Sequence, residues 1–125
     1  MFGDAKPVGM THTPRVQLLW WPGCPSFDAA LAGLRASLRD LGLEPDAVEV
    51  IRLDTEADAA REGFPGSPTF RVDGRDILPP GEDEPAGLTC RVYRRRDGRP
   101  SPTPDPSDLR EALAAAIRRE EHADA

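Results

Sequence analysis

A short, mostly apolar run near the start of the chain predicts a strand that is buried on both faces. Residues 16–21 read VQLLWW, and Pro22-Gly23 ends the run at a turn. Pro25 then suits the first turn of a helix, and apolar residues follow at helical spacing until Gly42. These are Phe27, Leu31, Leu34, Leu38 and Leu41. The pattern predicts a strand followed by an amphipathic helix, with Cys24 as the N-cap residue of that helix.

The next segments alternate between strand and helix patterns. Apolar and polar residues from Val48 to Leu53 predict a second strand, and the strand-helix-strand order implies a parallel crossover. Thr55 and Asp58 have the spacing of a capping box, which predicts a short helix that ends at about Glu62.

Glycine and proline divide the second half of the chain. The segment 63–68, GFPGSP, interrupts regular structure, and Thr69–Val72 before Asp73-Gly74 predicts a strand and a hairpin turn. We expect the second arm at Leu88–Tyr93, after an exposed, proline-rich insertion at Ile77–Gly87. A last helix is predicted from Asp105 onwards, with one apolar stripe formed by Leu109, Leu113 and Ile117.

Length and charge then limit the classes of protein. With 125 residues, the chain suits one domain, which we place at residues 15–120 between a flexible tail (1–14) and a frayed end (121–125). A net charge of -6 argues against generic binding to nucleic acid or to anionic membranes. There is neither a run of about 20 apolar residues nor a signal-peptide pattern. We therefore expect a cytoplasmic protein; its oligomeric state stays open.

Two short motifs carry a resemblance to a known superfamily. Residues 20–25, WWPGCP, take a strand into a thiol at a helix start, and residues 66–69, GSPT, precede the third predicted strand. Together with the element order, they resemble thioredoxin-like proteins. The resemblance implies an α/β thioredoxin-like fold with a central mixed sheet of about four strands flanked by helices. It also implies that Pro68 is cis and faces the sulfur of Cys24.

The same resemblance implies a thiol-dependent redox protein in which Cys24 is the nucleophile. The positive end of a helix stabilises a thiolate, which supports that role. Trp21, Pro25, Ser67 and Pro68 are then the expected substrate-binding residues. The substrate would be a thiol or disulfide, either a protein or a small thiol, and no cofactor or resident metal is expected. However, Phe27 stands where a dithiol thioredoxin has its second cysteine, so the local resolving thiol is missing.

Cys90 is the only other cysteine of the chain, and two interpretations stay open for it. In a strand at 88–93, Cys90 shares a face with Leu88 and Val92, which predicts a structural position in the core. Alternatively, Cys90 resolves Cys24 or is a metal ligand together with it; a disulfide between the two requires Cα atoms within about 7 Å of each other. The nearby basic run, which consists of Arg91, Arg94, Arg95 and Arg96, is most simply the solvated end of the strand.

A weaker similarity concerns small proteins described as alkylmercury lyase-like. The Gly-Cys-Pro turn, Gly-Ser-Pro-Thr and residues 90–93, CRVY, resemble that group. The resemblance implies that Cys24 and Cys90 bind mercury while Asp28 delivers a proton. Asp28 is equally explained as a favourable charge in the first turn of a helix. Two alternatives to a redox protein stay open. One is a non-catalytic module that binds a soft metal or a protein partner, and the other is an alkylmercury lyase-like protein.

Overall fold

The computed structural model describes residues 14–80 and 85–124, with side chains as far as Arg118. The expected N-terminal tail therefore lies, apart from Pro14, outside the described residues. The strands are β1 (Val16–Trp20), β2 (Val48–Arg52), β3 (Thr69–Val72), β4 (Arg75–Asp76), β5 (Tyr93–Arg94) and β6 (Pro100–Ser101). The helices are α1 (Phe27–Asp40), α2 (Glu56–Glu62) and α3 (Pro106–Asp124).

The main sheet has four strands in the order β2-β1-β3-β4 and is mixed. Strand β1 runs parallel to β2 and antiparallel to β3, so it has a hydrogen-bonded neighbour on each side. The residues Val16 to Leu19 are all buried, which confirms the prediction of a central strand that is covered on both faces. Helix α1 connects β1 to β2, as the predicted parallel crossover requires.

The predicted hairpin exists, but its second arm was assigned to the wrong segment. Asp73 and Gly74 both have positive φ values, 51° and 86°, and the chain returns at once as β4, which pairs with β3. A two-residue turn of this kind leaves no room for an insertion between the arms. The expected strand at 88–93 is instead an isolated bridge between Ser67 and Cys90, followed by β5, which pairs with β6 in a separate sheet.

The segment after β4 also differs from its prediction as an exposed insertion. Ile77 is buried, and its N–H donates to the carbonyl oxygen of Phe70 at 3.0 Å. Leu78 is half-buried and packs against the main core. The apolar start of this segment therefore extends the core, and the proline-rich pattern that follows it conceals this contribution in the sequence.

Two apolar clusters lie on opposite faces of the sheet. The larger one joins β1 and β3 to helices α1 and α3, whose buried residues recur at helical spacing. In α3 the buried residues are Leu109, Leu113 and Ala116, whereas Ile117, which we expected in the stripe, is half-buried. The smaller cluster, on the other face, consists of Leu19, Leu53, Ala59 and Phe64.

Helix α2 begins as the capping-box spacing predicts. The side chain of Thr55 accepts a hydrogen bond from the N–H of Asp58 at 3.0 Å, and Gly63 ends the helix with a left-handed backbone. No helix among the described residues is long and apolar enough to cross a membrane.

Candidate functional site

Cys24 and Cys90 are joined by a disulfide bond that links segments 66 residues apart in the sequence. Their Cα atoms lie 5.8 Å apart, within the usual range for a disulfide. The prediction of a core position for Cys90 is wrong, because Cys90 is an exposed residue and Val92 is 73% exposed. The alternation argument fails because this segment is not a regular strand. Of the two interpretations of Cys90, its pairing with Cys24 is the one that the structure contains.

Cys24 lies in the turn between β1 and α1, and only 2% of its surface is exposed. Its N–H donates to the carbonyl oxygen of Trp21 at 3.2 Å, which closes this turn. The helix begins at Phe27 with Ser26 as its N-cap residue, so the expectation that Cys24 caps the helix is wrong by two positions. The side chain of Ser26 makes no capping hydrogen bond. The N–H groups of the first turn, which lack partners within the helix, therefore remain without a side-chain cap close to Cys24.

The indole of Trp21 fills the space beside Gly23. A Cβ atom placed on Gly23 would lie 2.0 Å from Cζ2 of Trp21, so no side chain fits there unless the indole moves. Trp21 is half-buried against the smaller cluster, while Trp20 stacks on Phe27 with ring centroids 4.2 Å apart. The ring of Trp21 thus packs against the turn that holds Cys24, and the ring of Trp20 packs against the first residue of α1.

The segment that carries Cys90 lies against the loop that precedes β3. The N–H of Ser67 donates to the carbonyl oxygen of Thr89 at 2.8 Å, and the N–H of Arg91 donates to the carbonyl oxygen of Ser67 at 2.9 Å. The bond between Ser67 and Pro68 is cis, which confirms the expectation from the Gly-Ser-Pro-Thr motif. Both backbone groups of Ser67 are therefore occupied by the residues that flank Cys90.

Gly66 allows the two segments to come this close. Its φ is +143°, and a Cβ atom there would lie 2.7 Å from Cγ of Arg91 and 3.1 Å from Cγ2 of Thr89. Upstream of Cys90, the N–H of Gly87 donates to the carbonyl oxygen of Phe64 at 2.9 Å. The Cys90 segment is thus held by backbone hydrogen bonds on both sides of the disulfide.

Arg91 and Tyr93 fasten the same segment from the other direction. Arg91 Nη1 lies 3.1 Å from Oδ2 of Asp76, and Nη2 donates to the carbonyl oxygen of Leu78 at 2.5 Å. The guanidinium also lies over the ring of Tyr93, 4.6 Å from its centroid. The Arg91 side chain is only 8% exposed, so for this residue the interpretation of the basic run as a solvated strand end is wrong. Arg94 and Arg96 are exposed.

The hydroxyl of Tyr93 donates to the carbonyl oxygen of Pro68 at 2.5 Å. Burial raises the pKa of this phenol, the nearby Asp76 carboxylate raises it further, and Arg91 opposes both effects. In the sequence, the segment CRVY at 90–93 carries only the weaker resemblance, apart from Arg91 as part of the basic run. Its arginine and tyrosine anchor Cys90 beside the cis-proline loop, and the signal that could have indicated this was their spacing directly after the cysteine.

The residues expected to bind substrate fall into two groups. Pro25 is exposed and Trp21 is half-buried, so both contribute to the surface around the turn. Ser67 and Pro68 are fully buried, with the 89–91 segment paired to Ser67. Asp28 is an exposed residue in the first turn of α1. Within residues 14–80 and 85–124 there is no group of three or more His, Cys, Asp or Glu side chains that could hold a metal ion.

Comparisons with protein-family models, with curated proteins and with solved structures found no match.

Proposed function

We propose that this chain is a thioredoxin-like thiol–disulfide exchange protein whose redox pair is Cys24 and Cys90. The observation that carries the proposal is the disulfide between Cys24, which is buried in the turn before α1, and the exposed Cys90 beside the cis-proline loop. Phe27 removes the local partner that the resemblance would supply, and Cys90 provides a second thiol from a distant part of the chain.

Several features support a thioredoxin-like fold as part of this proposal. The thiol follows the central strand β1 and precedes α1, the connection to β2 is parallel, and a cis-proline precedes β3. In the superfamily that the sequence resembles, the active cysteine and the cis-proline occupy the same places in the order of strands and helices.

The contacts around Cys90 support reversible rather than accidental pairing. Gly87, Ser67 and Arg91 hold the segment by backbone hydrogen bonds, and Arg91 and Tyr93 anchor it by their side chains. None of these contacts involves the sulfur atoms of the disulfide. After reduction, the thiol of Cys90 would remain close to Cys24, and such preorganisation favours fast reclosure.

The exchange requires an external thiol or disulfide. In one direction, the two protein thiols lose two electrons and two protons to a disulfide RSSR, which becomes two RSH, and the Cys24–Cys90 bond forms. In the other direction, two RSH molecules reduce that bond and leave as RSSR. The expected cytoplasmic location would supply glutathione as such a thiol. Because both backbone groups of Ser67 are occupied, small thiols and accessible cysteines fit better than an extended peptide paired at Ser67.

A turnover assay tests this proposal. The wild-type protein should transfer electrons from a thiol reductant to a small disulfide, and Cys24→Ser or Cys90→Ser should abolish the two-thiol cycle. Asp40→Asn is the control, because it changes an exposed carboxylate at the far end of α1 and should leave the exchange rate unchanged. Circular dichroism checks that each variant folds. A wild-type rate no higher than that of the Cys24→Ser/Cys90→Ser double variant would refute the proposal.

The same geometry favours one second candidate, which is capture of a soft metal ion by the reduced pair. Cα atoms 5.8 Å apart allow two thiolates to bind one soft cation such as Hg²⁺ or a trivalent arsenic centre. Titration of the reduced protein with Hg²⁺ or arsenite should then give one tight equivalent that weakens when either cysteine is replaced. If the chain is an alkylmercury lyase, Asp28→Asn should in addition reduce cleavage of a carbon–mercury bond. If it only binds the metal, the affinity should not depend on Asp28.

A further inference from the structure

The two cysteines of the disulfide differ in their exposure to solvent. Cys24 keeps 2% of its surface exposed, whereas Cys90 is an exposed residue between the exposed Thr89 and the largely buried side chain of Arg91. The sequence resemblance gives the nucleophilic role to Cys24. The burial of the two residues favours the opposite order.

We infer that Cys90 is the sulfur that exchanges with outside thiols and that Cys24 is the resolving and leaving thiol. This inference rests on the proposed exchange function and assigns the roles within it. A thiolate attacks a disulfide sulfur in line with the bond that breaks, from the side opposite the leaving sulfur. Access therefore decides which of the two sulfurs is attacked.

For Cys24, such an approach meets a residue that is only 2% exposed, in a turn whose Pro22, Gly23 and Pro25 are themselves exposed. Trp21 packs against Gly23 in that turn, and Ser26 beside it is buried. For Cys90, the approach begins at an exposed segment whose neighbour Val92 is 73% exposed. The surface around Cys90 can thus accept a small thiol without rearrangement of the core.

The start of α1 suits Cys24 to the role of leaving thiolate. Ser26 makes no side-chain capping hydrogen bond, and the N–H groups at the start of a helix carry a partial positive charge. This charge stabilises the negative sulfur that forms when the disulfide opens.

The sequence of steps follows. An outside thiolate RS⁻ attacks Sγ of Cys90, the Cys24–Cys90 bond breaks, and the electron pair leaves on Cys24. A second RS⁻ attacks the sulfur that is bonded to R in the mixed disulfide. This step releases RSSR and the thiolate of Cys90. In the reverse direction, the Cys90 thiolate attacks RSSR and releases RS⁻. Cys24 then attacks Sγ of Cys90, which releases the second RS⁻ and restores the disulfide.

The test labels the reduced full-length protein with less than one equivalent of a bulky alkylating reagent in a short pulse, and peptide mapping locates the label. Cys90 should react at least about tenfold faster than Cys24. Glutathione disulfide then provides a second readout: Cys24→Ser should form a mixed disulfide at Cys90 quickly, and Cys90→Ser should form one at Cys24 slowly. Serine occupies nearly the same volume as cysteine, so the variants keep the cover over the remaining thiol.

The outcomes separate this inference from the function on which it rests. If the wild-type pair exchanges but Cys24 is labelled first, the assignment is overturned and the exchange function stands. If neither thiol can be released by a reductant under native conditions, the exchange function fails and the assignment fails with it. Faster labelling of Cys90 together with mixed disulfides at Cys90 supports both.

Discussion

The hydroxyl of Tyr93 donates a 2.5 Å hydrogen bond to the carbonyl oxygen of Pro68, which joins the segment after Cys90 to the cis-proline loop. Both residues are buried. Tyr93→Phe removes the donor and leaves the Pro68 carbonyl without its partner, so the free energy of unfolding should fall by about 1–2 kcal/mol. Urea denaturation of the two proteins measures this difference. An unchanged midpoint and slope would contradict the role of this hydrogen bond.

The same phenol predicts how stability changes at alkaline pH. Burial raises the pKa of Tyr93 in the folded protein above its unfolded value of about 10, so folding favours the neutral phenol. The corresponding stability is complete below pH about 10 and is lost as the pH rises towards the higher folded pKa. Since Tyr93 is the single tyrosine of the chain, tyrosinate absorbance reports on it alone. Ionisation with a normal pKa in the folded protein would contradict the prediction.

The ion pair between Arg91 and Asp76 should contribute far more than a surface pair. The two side chains are 8% and 18% exposed, so Asp76→Asn leaves a nearly buried guanidinium without its carboxylate. We expect the free energy of unfolding to fall by about 3 kcal/mol. This value is at the low end for buried ion pairs because Asp76 keeps some exposure. The rate at which the reduced pair recloses should fall as well, because Arg91 anchors the Cys90 segment.

The matched control for that variant is Asp108→Asn. Asp108 pairs with Arg96 at 2.7 Å, but both side chains are well exposed. The expected loss of unfolding free energy is no more than about 1 kcal/mol, and reclosure of the disulfide should be unaffected. Equal losses in the two variants, measured by thermal and urea denaturation, would show that the buried pair has no special role.

Two glycines around the site should not tolerate alanine. At Gly66 the left-handed φ and the close approach of Arg91 both oppose a Cβ atom, and at Gly23 the indole of Trp21 occupies its position. We expect Gly66→Ala and Gly23→Ala each to cost about 1–3 kcal/mol of unfolding free energy. Gly33→Ala is the control, because a Cβ atom there meets nothing within 4 Å in the middle of α1. That control should gain up to about 1 kcal/mol in the same denaturation assay. A loss in the control as large as that in the site variants would contradict the steric argument.

The sequence predicted the parts of the fold whose signals are local. The apolar run at β1, the helical spacing of α1 and the capping of α2 by Thr55 each lie within a few residues, and all are present in the structure. The cis bond at Pro68 came from a short motif and is also present.

The features that the sequence did not predict depend on contacts between segments that are far apart along the chain. Period-two alternation placed Cys90 in the core, but alternation governs side-chain direction only in a regular strand. Here the segment forms one isolated bridge to Ser67, and its position depends on the close approach to Gly66 and on the anchors at Arg91 and Tyr93. These contacts join residues 13 to 25 positions apart along the chain. No local pattern encodes them, so the distance between the two cysteines could not be deduced.

Equilibration with glutathione buffers tests most directly whether Cys24 and Cys90 form a reversible redox pair. The buffers span a series of thiol-to-disulfide ratios, free thiols are trapped by alkylation, and intact mass gives the number of alkyl groups on each molecule. For a reversible redox pair we expect a single transition, from molecules that carry no alkyl group to molecules that carry two. Circular dichroism should show an unchanged fold across this transition. A disulfide that opens only when the protein unfolds would be structural. That result would contradict the proposal that Cys24 and Cys90 form a reversible redox pair.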